Sequence, residues 1–193
     1  MTQLTDTNRQ IVLAKRPVGA PNADTLRLDT SDVPVAGAGE MLLRIEYLSL
    51  DPYMRGRMND SKSYADPVAI GSPMVGGTVA RVVTSDVKGF AVGDWVLSFS
   101  GWQDYAVSDG VGVTNMGTDP AHPSWALGIM GMPGVTAYCG LLLIGEPKAD
   151  ETVVTAAATG PVGATVGQIA KIKGCRAVGI AGGAEKCAHA VNE

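Results

Sequence analysis

The amino-acid sequence predicts a chain of mixed class. A compact, barrel-like all-β unit spans residues 1–125, and the start of an α/β unit spans residues 126–193. Three observations carry this expectation. Short runs of alternating or continuous apolar residues, punctuated by Gly, Pro and Asp, fill the first two thirds. The segment Asp119-Pro120-Ala121-His122-Pro123 marks a boundary. Beyond it the apolar period lengthens, and a strand–helix–strand pattern follows.

Each element has a local reason. Gln10–Ala14 is an apolar run closed by Pro17, and Thr25–Asp29 alternates with period two. Leu42–Leu50 is a longer, mostly alternating strand led in by Gly37-Ala38-Gly39. Gly77–Val83 follows the Gly76-Gly77 pair, and the turn Val87–Asp94 feeds the strand Asp94–Phe99; Asp104–Ser108 completes the series. After the boundary, Pro133–Leu143 reads as a helix with Pro133 in its first turn. Glu151–Ala157 is a buried strand. Pro161–Lys173 is a helix with Val162, Val166, Ile169 and the Lys173 stem on one stripe, and Gly174 stands where a C-terminal glycine belongs. Arg176–Ala181 is a second strand, and Ala184–Cys187 opens another helix. Two parallel strands alone would leave an unpaired edge and an uncovered apolar face, so the sequence is expected to be a fragment of a longer enzyme.

Composition narrows the function classes. The 193 residues are 46% hydrophobic and 18% charged, with a mean hydropathy of +0.14, which excludes a disordered chain. The net charge of −4 and the lack of any Lys/Arg cluster argue against nucleic acid or an anionic membrane as partner. No run of about 18 apolar residues is present, and the polar first ten residues do not read as a signal peptide. Three cysteines (Cys139, Cys175 and Cys187) make no paired framework, which fits a reducing cytoplasm. Cys187 and His189 stand two apart with no second cluster, a poor metal set; His122 and His189 read as surface residues. Glycine, at 25 residues, is nearly twice as frequent as the usual ~7%, which points to tight turns and close backbone approaches.

The strongest constellation is Ala157-Ala158-Thr159-Gly160-Pro161-Val162-Gly163, between the strand and the helix of the β-α-β pattern. That context gives a glycine-rich turn its meaning. Gly160 admits a pyrophosphate to the backbone, Gly163 lets helix pack on strand, and the free N–H groups and positive end of the helix that begins at Pro161 face the anion. Ala158 replaces the usual first glycine, and a plain turn with packing glycines is the competing explanation. After the second strand, Ala181-Gly182-Gly183-Ala184 offers no carboxylate for a ribose 2′-hydroxyl, whereas Lys186 can meet a 2′-phosphate. The expected cofactor is therefore NADPH/NADP rather than NAD. The alternative for Lys186 is an ordinary solvated lysine.

Together these stretches resemble a known family. Gly131–Tyr138, Ala156–Gly163 with Gly167–Lys171, Leu48-Ser49-Leu50-Asp51-Pro52-Tyr53-Met54-Arg55-Gly56-Arg57-Met58, and Gly179–Cys187 are similar to the medium-chain dehydrogenase/reductase superfamily. Within it they look like the zinc-independent leukotriene/prostaglandin and alkenal double-bond reductases, close to the bacterial curcumin-reductase branch. The resemblance implies a GroES-like β-barrel substrate domain over 1–125 and the start of a Rossmann NADP-binding domain over 126–193. It implies reduction of an α,β-unsaturated ketone or aldehyde by hydride transfer to the β-carbon. It maps the cofactor turn onto Gly160, Pro161, Val162 and Gly163, with Gly182 beside it, and the 2′-phosphate lysine onto Lys186. It brings Thr136 to the nicotinamide. Tyr53 becomes the active-site tyrosine and Tyr64 a looser second candidate. Where zinc relatives carry ligands, this chain reads Ser49-Leu50-Asp51-Pro52 and Gly76-Gly77-Thr78, so no metal is expected. A homodimer of the full-length enzyme is expected as well.

The residue types suit that chemistry. Hydride addition to an enone builds negative charge on the carbonyl oxygen, and a phenol O–H can donate to it without a metal. The sequence places Tyr53 on the loop after a long strand, where it is expected to face a cleft between the two domains; the alternative is packing in the barrel wall. Met54, Met58, Met130 and Met132 are candidates for a plastic substrate pocket, although methionine more often fills cores. Quinone reduction on the same scaffold, and a non-catalytic NADPH-binding role, are the competing functions.

Overall fold

The computed structural model describes residues 7–192, and the chain divides between Ser124 and Trp125. Among the described residues, the first unit is built of β-strands with one short α-helix. β1 (Thr7–Leu13) and β2 (Leu26–Asp32) form an antiparallel hairpin, with Leu13 opposite Leu26. β3 (Met41–Leu48), β4 (Thr78–Ser85), β5 (Trp95–Ser98), β6 (Tyr105–Ser108) and β7 (Thr114–Gly117) form an antiparallel sheet in the order β6-β3-β4-β5-β7. Backbone bonds from Ile11 N–H to Trp102 O and from Met74 N–H to Ile11 O join the hairpin to the segments around residues 74 and 102.

Two apolar clusters hold this unit. Met41, Leu43, Ala80, Val82 and Val96 pack on one side of the sheet. Leu13, Met54, Met58, Val68 and Met74 pack beside the hairpin. Buried Asn8 ties β1 to β6: its side-chain N–H donates to Tyr105 O, and its Oδ1 accepts from the Asp104 and Tyr105 N–H groups. Satisfying all these groups avoids the penalty of a buried unpaired amide. At Gly101 φ is +75°, and a Cβ would lie 2.5 Å from Met74 O, so only glycine fits there.

Two elements of this unit lie outside the sequence expectation. α1 (Tyr53–Arg57) is a five-residue helix where the sequence reads as a loop, so Tyr53 begins a helix. Met54 and Met58, i and i+4 on that turn, are its buried anchors. They are core residues rather than pocket lining, and packing supplies what propensity does not. β7 reads Thr-Asn-Met-Gly, with one apolar residue and no alternation, and is fixed by pairing with β5.

In the second unit, α2 (Met132–Tyr138) has Pro near its start and continues as a π-helical segment over Cys139–Gly145. The predicted single helix thus changes hydrogen-bond register at Cys139. Met130 and Met132 are exposed. β8 (Thr152–Ala156) and β9 (Arg176–Ile180) pair in parallel, with α3 (Pro161–Ile172) between them and α4 (Gly183–Asn192) after them. The core of this unit is Leu141, Ala170 and Cys175, with Val153, Val166 and Ile169 against it. The buried stripe of α3 therefore runs through Gly163, Val166 and Ala170. Val162 and Lys173, which the periodicity places on it, lie exposed because the stripe is rotated toward the small residues. The other face of the two strands presents Val154 at 58% exposure and Ile180 at 59%. His122 and His189 are on the surface, as the sequence predicts.

Candidate functional site

In the second unit, the chain leaves β8 through Ala157, whose φ of +50° is left-handed and rare for a residue with a Cβ. Ala158 then turns inward: its N–H donates to Ile180 O at 3.1 Å and its side chain is buried. A Cβ on Gly179 would lie 2.6 Å from the Ala158 Cβ. The alanine at the first glycine position is thus accommodated by a glycine on the neighbouring strand.

Gly160 is extended, with φ −81° and ψ 164°, and caps α3 with no side chain; Pro161 follows. A Cβ on Gly160 would lie 3.2 Å from Ala157 O, and one on Gly163 only 2.4 Å from the same oxygen. Helix and strand therefore meet at a separation that only glycine allows at 163. The first N–H groups of a helix have no intrahelical acceptor, and no side chain caps this one. The turn presents free donors and the positive end of a twelve-residue helix, which suits a diphosphate.

A cleft of about 640 Å³ opens beside the turn, bounded by Ala158, Thr159 and Gly163, by Lys171 on α3, and by Cys187 and His189 on α4. Gly163 lines it, but Gly160, Pro161, Val162, Gly182 and Lys186 lie outside its lining. β9 ends at Ile180, and no carboxylate follows before Glu185, already inside α4. A Cβ on Gly182 would meet nothing within 4 Å, so the space next to it is open. Lys186 is the fourth residue of α4 and is exposed. Thr136 lies on α2, where its hydroxyl donates to Met132 O at 2.7 Å and keeps lone pairs free to accept.

In the first unit, the turn before α1 is built by Asp51 and Ser49. Ser49 Oγ donates to Asp51 Oδ2 at 2.7 Å, and Met54 N–H donates to Asp51 O. Tyr53 packs against the Leu13–Met54–Met58–Val68–Met74 cluster. Its hydroxyl is buried without a hydrogen-bond partner. Burial raises its pKa above the ordinary phenol value, the Asp51 carboxylate adds to the rise, and the Arg57 cation opposes it. The phenol therefore keeps its proton as a donor. Tyr64 is 81% exposed, and it adds the smallest of the contributions that raise the Tyr53 pKa.

The indole N–H of Trp102 is a second buried donor without a partner, and it packs against the same cluster as Tyr53. No motif in the sequence singles it out. Its place follows from the Gly101 turn and the bond from the backbone N–H of Trp102 to Met74 O, neither of which a local pattern reveals. Among the described residues, no three His, Cys, Asp or Glu side chains gather as a metal set, and no helix is long and apolar enough to cross a membrane.

Comparison with known proteins fits this geometry. Residues 9–116, more than half of the chain, match the family described as the N-terminal domain of oxidoreductase. The NADPH-dependent curcumin reductase of Escherichia coli (strain K12) is 62% identical over 190 residues, covering 98% of this chain and 55% of that protein. Prostaglandin reductase 1 of Mus musculus is 44% identical over 180 residues, covering 92% of this chain and 53% of its own. The crystal structure of CurA in complex with NADPH from Vibrio vulnificus superposes with a TM-score of 0.92 at 63% identity, over 95% of this chain and 55% of that one. The chain spans about half the length of the relatives it matches. It belongs to the medium-chain dehydrogenase/reductase superfamily, close to the NADPH-dependent curcumin reductases and related to the prostaglandin and alkenal reductases.

Proposed function

We propose that the whole protein reduces the carbon–carbon double bond of α,β-unsaturated ketones or aldehydes. Hydride adds to the β-carbon and a proton to the α-carbon. NADPH, when bound, supplies the hydride. The residues around the β8–α3 turn suit that cofactor: backbone N–H groups after Gly160 would hold the diphosphate, and Gly163 would keep the helix close enough to do so. Pro161 and Val162 would set the first turn, and the open space by Gly182 would admit the 2′-phosphate, with Lys186 as its counter-charge. Thr136 would accept from the nicotinamide amide. On this proposal the 1–125 unit is the substrate domain and the 126–193 unit the first part of the nucleotide domain.

The observation that carries the reaction is the Tyr53 hydroxyl. A buried phenol without a partner costs about 1–3 kcal/mol in lost hydration, and such a group is held ready for a ligand. Donating to the substrate carbonyl, it would stabilise the charge that hydride addition creates. Tyr64 would stand as a second hydroxyl nearby. We take the site as zinc-independent on its residues, because the one carboxylate of the Ser49–Pro52 segment is already bonded by Ser49. The same proposal makes the protein cytoplasmic and homodimeric.

The test is titration of the whole protein with NADPH and panels of enones and quinones, followed by the loss of reduced nicotinamide. Turnover of enones supports the proposal. Turnover of quinones alone would make it a quinone reductase, and NADPH binding without oxidation would make it a binding protein.

A further inference from the structure

We propose that Arg57 is a positioning residue, fastening the loop of residues 58–67, which carries Tyr64, to the helix that carries Tyr53. This inference rests on the catalytic reading of Tyr53 and extends it to a residue with no assigned part.

The loop leaves α1 at Met58 and returns at Val68, a buried residue packed with Leu13, Met54, Met58 and Met74. Its start is tied twice. Arg55 Nη1 donates to Asn59 Oδ1 at 2.6 Å, and Arg16 Nη1 donates to Met58 O at 2.9 Å. Its return is closed by Arg57 through both ends of the residue. Arg57 Nε donates to Asp66 O at 2.6 Å, and Arg57 O accepts from Val68 N–H at 2.8 Å. Between these ties, residues 59–64 are exposed. The Arg16–Asp60 pair, at 4.0 Å with Asp60 largely in water, adds little.

Tyr64 lies two residues before Asp66. The cation–carbonyl bond of Arg57, of a kind roughly twice as strong as a neutral one, therefore sets how far Tyr64 strays. On that reading, fixing the loop that carries Tyr64 matters because a displacement of about 1 Å in a positioning element can lower turnover a hundredfold.

Amide hydrogen exchange across residues 60–66 of the whole protein tests the clamp without reference to activity. Arg57→Ala should speed exchange there about tenfold, and Arg57→Lys, which keeps a cationic donor, should restore much of the protection. Unchanged exchange in Arg57→Ala overturns the inference. With an enone substrate, Arg57→Ala should lower kcat while leaving KM for NADPH and the melting temperature in place, and it should cost nothing further in a Tyr64→Phe background. Additive losses, or undiminished turnover with a loosened loop, also overturn it. A Tyr53→Phe variant with full turnover would strike the catalytic reading of Tyr53 alone and would leave the exchange result standing.

Discussion

Gly163 and Gly167 lie one helical turn apart on α3, and their surroundings predict opposite responses to alanine. An ideal Cβ on Gly163 stands 2.4 Å from Ala157 O, 2.9 Å from Ala157 C and 3.0 Å from Ala156 O. Ordinary contacts with carbon lie near 3.5–4.0 Å, so the overlap is about 1 Å. All three atoms are backbone, and no side-chain rotation relieves it. Overpacking costs roughly 1–3 kcal/mol, and a backbone clash belongs at the upper end. Alanine recovers at most ~1 kcal/mol of helix propensity, so Gly163→Ala should lose about 2 kcal/mol. A Cβ on Gly167 meets nothing within 4 Å, so Gly167→Ala should gain up to ~1 kcal/mol. Urea unfolding followed by helix ellipticity reports mainly on this unit, because α1, with five residues, is the one α-helix described in the other. With a slope near 2 kcal/mol per molar, a gap of about 3 kcal/mol separates the two midpoints by more than 1 M urea. A Gly163→Ala midpoint equal to or above that of the parent would refute the close approach of helix and strand.

Three further outcomes follow from named groups. Tyr53→Phe should raise stability by up to about 1–3 kcal/mol, since it removes a buried hydroxyl that has no partner, and should lower turnover more than NADPH affinity; equal turnover in a steady-state assay returns Tyr53 to a packing role. The pKa of Tyr53 is raised in the folded chain above its ordinary value of about 10. Above that value the unfolded state holds fewer protons than the folded one, so this residue's contribution to stability falls as pH rises until the folded phenol also ionises. Denaturant midpoints across the alkaline range should show that loss in the parent and not in Tyr53→Phe; identical profiles would count against the burial of the hydroxyl. Lys186→Glu should weaken NADPH far more than NADH in a fluorescence titration, and equal weakening of the two would remove the 2′-phosphate role.

The β-α-β unit was legible because its signals are local and agree. An apolar run, a turn needing Gly160 and Gly163, a helix and a glycine at 174 follow one another in order, and the structure places β8, α3 and β9 on them. The rotation of the α3 stripe was not legible. Periodicity counts Val162 as apolar without knowing that Gly163, whose Cβ would lie 3.0 Å from Ala156 O, must be the point of closest approach. α1 is not legible because five residues containing Gly56 are too short to show a helical period. Burial of Met54 and Met58 makes the helix, and it lifts Tyr53 from a loop onto a rigid turn. Trp102 was invisible for a different reason: its unpartnered indole depends on long-range pairing around Gly101 and Met74, which no window of sequence contains.

The most direct measurement is transfer of isotope. NADPH carrying deuterium at the transferable C4 position, incubated with the whole protein and an enone, should yield a saturated ketone with deuterium on the β-carbon, read by proton NMR. Deuterium on the carbonyl carbon, or an enone recovered unlabelled, would contradict the proposed reduction.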